Sequence, residues 1–235
     1  MSRLVISKLS VDRAELAVVR EVDLVAESGR ISVVLGANGA GKTTLLEGIS
    51  GIIPVSGGTI EIDGQPIQKA RPGERSRAGL AHVEQGRTVF GQLTTEENLR
   101  TGLREEADLA KAYDLFPELV QRRAIRAGLL SGGEQQMLVI ARALLTQPKV
   151  LLIDEMSAGL APVIVTRLMN AVRRLADSGL AVLLVEQFAA LALSIGDRAY
   201  VMRRGVVVYD GDCTGLAQAP DELHRLYLGV GTAAA

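Results

Sequence analysis

An α/β fold built around a mainly parallel sheet is what this sequence predicts, and three observations predict it. Short aliphatic runs without polar–apolar alternation recur along the chain, the habit of strands buried on both faces. Helical stretches fill the gaps between most of them, as crossovers between parallel strands require. Hydrophobic residues make up 48% of the chain but aromatics only 3%, so the core must be aliphatic.

The strand-like runs are Ile31–Leu35, Leu80–Val83, Val150–Ile153, Ala181–Val185 and Ala199–Met202. Two places read as hairpins instead. Thr59-Ile60-Glu61-Ile62 runs into Asp63-Gly64, a tight-turn pair, and Val201-Met202 and Val206–Tyr209 flank Arg203-Arg204-Gly205. They predict an antiparallel β portion beside the parallel one. A helix from Lys42 to about Ile49 should end near Gly51, a C-cap. The charge-rich stretch from Thr94 to Arg126 carries no strand signal and predicts two or three exposed helices broken at Pro117. Further helices are expected from Glu134 to Leu145, stopped before Pro148, and from Ala161 to Ala176, with Pro162 in the first turn. The expected organisation is a single domain over 1–235. An α/β core from 1–90 and 147–235 carries a small helical subdomain, 91–146, as an insertion. Gly231–Ala235 has nothing to anchor it and should fray.

Composition narrows the function classes. A formal net charge of −1 supplies no field for nucleic acid or an anionic membrane surface, so no nucleic-acid partner is expected. The single cysteine, Cys213, cannot form an intrachain disulfide and reads as a partly buried small residue. The apolar run at the start is too short for a signal peptide, and no stretch approaches the ~18 residues of a membrane span. A soluble cytoplasmic chain is the expectation.

Gly36-Ala37-Asn38-Gly39-Ala40-Gly41-Lys42-Thr43 matches the phosphate-binding loop G-x-x-x-x-G-K-[ST] in full, between a buried strand and a helix. Its glycines let successive backbone N–H groups turn inward on phosphate oxygens, and the helix N-terminus adds its positive dipole end. Lys42 is placed to reach the β- and γ-phosphates of ATP and the Thr43 hydroxyl to ligate Mg²⁺; Thr44 is grouped with the same nucleotide site. The fold class is thereby a P-loop NTPase core. Val150-Leu151-Leu152-Ile153 then delivers two adjacent carboxylates to a strand end. Asp154 is the candidate Mg²⁺ holder and Glu155 the candidate general base for the attacking water. Leu130-Ser131-Gly132-Gly133-Glu134-Gln135-Gln136 has capping-box spacing at Ser131 and Glu134, which an ordinary helix start would also show. Two consecutive glycines go beyond that, because they strip a helix end so that another molecule can approach its N–H groups.

The three motifs together, LSGGEQQ with the loop at 36–43 and the strand ending in Asp154-Glu155, resemble the ATP-binding cassette (ABC) ATPases, in the family's order and over nearly the whole chain. The resemblance implies that Ser131, Gly132 and Gly133 bind the γ-phosphate of an ATP held by an opposite subunit. The working form would then be a dimer of nucleotide-binding domains, either two copies of this chain or a pair with a second ABC ATPase. Ser157-Ala158-Gly159-Leu160 matches the loop that communicates across that dimer. Gln85 matches the family glutamine that touches Mg²⁺ and senses the γ-phosphate while facing the membrane partner; a solvated loop amide is the plain alternative.

Within the family, Gln85-Gly86-Arg87 with Phe90 and Leu93–Leu99, Leu115-Phe116-Pro117, Ser157–Pro162, Val185-Glu186-Gln187 and Arg225–Gly229 are similar to ATPases of branched-chain amino-acid uptake systems; urea and amide importers share these phrases. The resemblance implies separate integral membrane permease subunits and, indirectly, a periplasmic or extracellular solute-binding protein. The chain would then sit at the cytoplasmic face of the membrane.

The sequence departs from the family at three places. Gln187 stands where most members place a histidine on the γ-phosphate, and glutamine can donate a hydrogen bond but cannot carry a proton. Arg13 stands where an aromatic normally stacks on adenine; its guanidinium could stack instead or be an idle surface side chain. Met156 replaces the usual proline after Glu155, with no functional account. His82 and His224 read as incidental. A soluble, non-transport ABC ATPase and a module that clamps ATP without turnover are the competing expectations.

Overall fold

The computed structural model describes residues 3–105 and 108–228; the expected fraying of 231–235 lies outside them. The sheet at the centre runs β10(Val206–Asp212)–β9(Arg198–Arg203)–β3(Ile31–Leu35)–β8(Ala181–Val185)–β7(Val150–Asp154)–β6(Leu80–Val83). β6, β7, β8, β3 and β9 pair in parallel, and β10 adds antiparallel at one edge.

Every residue of β3, β7 and β8 is buried, and their period of two explains how. Ile31, Val33, Leu35, Leu151, Ile153, Val182 and Leu184 pack into one hydrophobic cluster. Their alternates Val34, Val150, Leu152, Ala181, Leu183 and Val185 enter the other. The first cluster is closed by α5(Gly132–Leu145), α6(Pro162–Asp177) and α7(Ala189–Ile195). The second is closed by α1(Lys42–Ser50) and a separate antiparallel sheet. Each fully buried Val or Leu in such a layer contributes roughly 2 kcal/mol of transfer free energy.

That second sheet has the order β2(Leu16–Glu27)–β1(Arg3–Arg13)–β4(Gly57–Ile62)–β5(Gln65–Pro66). It corrects the sequence reading twice. Arg3–Arg13 and Leu16–Glu27, in which the sequence predicts no element, form its longest strands. The two predicted hairpins do not share one antiparallel portion: β4–β5 lies in this sheet, whereas β9–β10 finishes the edge of the parallel one.

Between β6 and β7 the chain is helical. α3(Thr95–Arg100), α4(Leu109–Leu115), a 3₁₀ turn at Pro117–Arg122 and α5 fill the stretch, with an isolated bridge between Thr94 and Arg126. These are not merely surface helices, since Leu99, Phe116 and Leu119 are fully buried. α2(Pro72–Arg77), α8(Cys213–Ala217) and α9(Pro220–Leu228) complete the described elements. Cys213 is fully buried rather than partly so, and burial pushes its thiol up to about 12. No helix among the described residues is long and apolar enough to cross a membrane.

Candidate active site

The parallel strands end on one side of the sheet, and the candidate residues follow those ends. Open parallel sheets bind ligands there because loops can splay apart beyond the last hydrogen-bonded pair. After β3 comes the loop 36–41, after β6 comes Gln85, after β7 Glu155, and after β8 Gln187. A cavity of about 490 Å³ collects them, lined by Asn38, Gly39, Gly41–Thr44, Gln85, Glu155 and Gln187, with Val18 and Ala158.

The phosphate-binding loop is shaped by close approach. A Cβ at Gly36 would sit 2.3 Å from the Met202 carbonyl oxygen, so only glycine lets the loop leave β3 past β9. Lys42 is buried at the start of α1 and donates from Nζ to the carbonyls of Gly36 (2.8 Å) and Ala37 (3.3 Å). Glu155 Oε1 lies 3.7 Å from the same ammonium. Gln85 Nε2 donates to Glu155 Oε2 at 2.9 Å.

Asp154 is almost fully buried and its Oδ1 has no hydrogen-bond partner among the described groups. Burial pushes its carboxyl up, a Thr43 hydrogen bond opposes this, Glu155's charge adds to it, and Lys42 opposes it. An orphaned buried carboxylate oxygen beside a hydroxyl is a donor set of hard oxygens. Mg²⁺ takes such a set from one or two side chains, leaving its remaining positions to phosphate and water. The residues present therefore fit the ion.

Glu155 itself has φ +44°, a left-handed conformation that costs a non-glycine residue on the order of 1 kcal/mol. Its N–H donates to the Val185 carbonyl at 3.0 Å, holding the strand end to β8.

The remaining candidates lie elsewhere. Ser131, Gly132 and Gly133 do not line this cavity. Ser131 caps α5 in a full capping box with Glu134, and it is exposed. The two glycines also have a reason within the chain. A Cβ at Gly132 would meet Arg87 Nη1 at 2.5 Å, and one at Gly133 would meet Ile164 Cγ2 at 2.7 Å. Arg13 donates from Nε to Thr44 Oγ1 (3.0 Å) and pairs with Glu47. It is thus tied to α1 through the edge of its guanidinium. His82 is not idle either: Nδ1 sits 3.1 Å from Ser50 Oγ, Nε2 has no described partner, and burial lowers its pKa to about 4.

A second cavity of about 400 Å³ opens at the other end of α1, lined in part by Ser50, Ile52, Arg75, His82, Glu84 and Phe90. Arg75, 3% exposed, closes the C-terminus of α1 by donating from Nη1 to Gly48 and Ile49 carbonyls, both at 2.7 Å. Its Nε and Nη2 reach the carbonyls of Ala70 and Gln68. Sequence reasoning missed Arg75, Val18 and Glu186.

The arrangement has the parts of a nucleotide triphosphate site, and comparison with known proteins decides whose. The family model described as ABC transporter matches residues 19–158. The chain belongs to the ABC transporter family. This ABC ATPase is 39% identical over 228 residues to the high-affinity branched-chain amino acid transport ATP-binding protein BraG of Pseudomonas aeruginosa, covering 94% of this chain and 97% of that one. It is 36% identical over 230 residues to the probable branched-chain amino acid transport ATP-binding protein LivF of Archaeoglobus fulgidus (95% and 97%). The lipopolysaccharide export system ATP-binding protein LptB of Escherichia coli is 35% identical over 220 residues (90% and 91%). Among solved structures, a nucleotide-free ATP-binding cassette from an ABC transporter matches with a TM-score of 0.86 at 25% identity, covering 98% of this chain and all of that one. The ADP conformation of an ATP-binding cassette matches with a TM-score of 0.83 at 25% identity (97% and 99%). This ABC ATPase is a nucleotide-binding, ATP-hydrolysing transport component, and β1 and β2, unread in the sequence, lie within the matched fold.

Proposed function

We propose that the chain energises an importer of branched-chain or other amino acids, or of related small polar solutes such as urea or amides. The observation that carries this reading is the near full-length similarity to two branched-chain amino-acid transport ATP-binding proteins.

In this reading ATP lies in the 490 Å³ cavity, its phosphates in the loop 36–41. Lys42 leaves the Gly36 and Ala37 carbonyls or adds the phosphates to them. Thr43 and Asp154 hold Mg²⁺ with Gln85, and the ion supplies charge neutralisation at the phosphates. Glu155 polarises the attacking water, and Gln187 donates a hydrogen bond to the γ-phosphate. Ser131, Gly132 and Gly133 serve the ATP of an opposing ATPase subunit, the same chain or a related one, because Ser131 is exposed and all three lie outside the local cavity.

The permease subunits dock at the cytoplasmic face, in the 400 Å³ cavity. Two features support that placement. Ile52 and Phe90 expose apolar surface there, and Glu84 lines that cavity while Gln85 lines the nucleotide cavity. A solute-binding protein acts indirectly, across the membrane.

A second reading is export, favoured by the 35% identity to the lipopolysaccharide export ATPase. Deleting the gene and measuring uptake of labelled leucine, glutamate and urea separates the two. Loss of uptake of at least one such solute supports import; unchanged uptake of all of them rules it out. For the enzyme roles, Glu155→Gln should abolish phosphate release while ATP binding persists and an ATP-bound dimer accumulates.

A further inference from the structure

Glu186 is a charged side chain beside this site that none of the roles above uses, and it is 0% exposed. It stands directly after β8 and before Gln187. A buried carboxylate is unfavourable compared with an apolar side chain of similar volume unless specific partners compensate it. Among the described residues it has no ion pair, so hydrogen bonds must do so. Its Oε2 accepts from Ser157 Oγ at 2.6 Å and from the Gln187 N–H at 3.3 Å, and its Oε1 accepts from the Ser157 N–H at 3.2 Å.

Those bonds bracket Glu155. On one side, the Glu155 N–H is bonded to the Val185 carbonyl. Two residues on, Ser157 is bonded twice to Glu186. Glu155 sits between these two ties with φ +44°, a conformation that persists only where its surroundings over-determine it.

We propose that Glu186 is a positioning residue: by binding Ser157 and the Gln187 backbone together, it holds Glu155 in its left-handed conformation and couples the loop 157–160 to Gln187. The proposal rests on the reading of Glu155 as general base. It follows that the two segments move together, so displacing the loop 157–160 from outside also displaces Gln187. Three donors converge on this side chain, and only a carboxylate offers two acceptor oxygens to meet them. A glutamine in its place keeps the volume but turns an NH₂ towards one of those donors.

The test compares Glu186→Gln, Ser157→Ala, the double variant and Glu155→Gln, in the membrane complex co-purified with the tagged full chain. Turnover is expressed per nucleotide-binding site, titrated with a fluorescent ATP analogue, so that misfolded protein does not count. Glu186→Gln should lower kcat about tenfold with KM for ATP within about twofold, and Ser157→Ala should lower kcat about threefold. The double variant should fall well short of the product of the two, because both break one tie. Wild-type turnover per site in Glu186→Gln overturns the proposal, as do fully multiplicative effects. If Glu186→Gln does not fold, an unchanged kcat in Ser157→Ala overturns it alone. Persistent hydrolysis in Glu155→Gln instead removes the general-base reading, an outcome distinct from failure of the tie.

Discussion

Two helices in this chain begin at glycines, and they differ in what surrounds those glycines. α1 opens at Lys42 inside a cavity where Thr43, Gln85 and Glu155 converge, with Asp154 buried behind Thr43, so its end is furnished with charge and metal-fitting oxygens. α5 opens at a half-buried Gly132 behind an exposed Ser131, whose hydroxyl accepts the Glu134 N–H, and it lies outside that cavity. Both ends carry a positive dipole, yet on the proposed reading one is a complete grip and the other half of one. A phosphate site is made by what adjoins a helix start, and the missing half at α5 is proposed to come from another subunit.

That contrast can be broken at several points. The largest effect should come from Lys42→Ala, which removes the cation of the complete grip. ATP affinity should weaken about 100-fold and hydrolysis disappear, read by calorimetry and phosphate release. Ser131→Arg should act on the half grip alone. ATP binding to the isolated chain should stay within about twofold, while turnover falls at least about tenfold and the ATP-bound dimer is lost in sedimentation. Equal weakening of binding in both variants would erase the distinction.

Arg75→Met sharpens the comparison from the rear of α1. It leaves the carbonyls of Gly48 and Ile49 without their donor and should cost about 3 kcal/mol in denaturant unfolding, with the nucleotide residues untouched. His82 gives the smallest effect. Its folded pKa, about 4, lies below the ordinary 6.5, so the unfolded chain takes up the proton first as pH falls. Stability should therefore be full above about pH 6.5 and decline towards pH 4, and His82→Asn should flatten that decline.

The parallel strands were legible because burial on both faces leaves no choice but aliphatics. Ile31–Leu35, Leu80–Val83 and Ala181–Val185 match the observed strands at both ends. β1 and β2 were not legible, and their bulges explain it. Buried positions in β1 are 4, 6, 9 and 11, and in β2 they are 19, 22, 24 and 26. The alternation slips by one residue around Lys8 and Glu21, both with positive φ, so a search for strict period two fails there. In the site, the loop 36–43 and Asp154-Glu155 could be read because their chemistry demands fixed spacing. Arg75 and Glu186 could not. A charge in a polar stretch or at a strand end reads as solvated, and only the fold buries it.

One feature of the loop after β6 bears on how such a protein can change over time. Glu84 and Gln85 are neighbours in sequence yet border different cavities. Under the proposed roles, adapting residue 84 to a new protein neighbour means working one peptide unit away from Gln85 and the fuel-consuming site. Divergence in the choice of neighbour is thereby steered to the more distant rim, at Ile52 or Phe90, where sequence can drift without disturbing the engine.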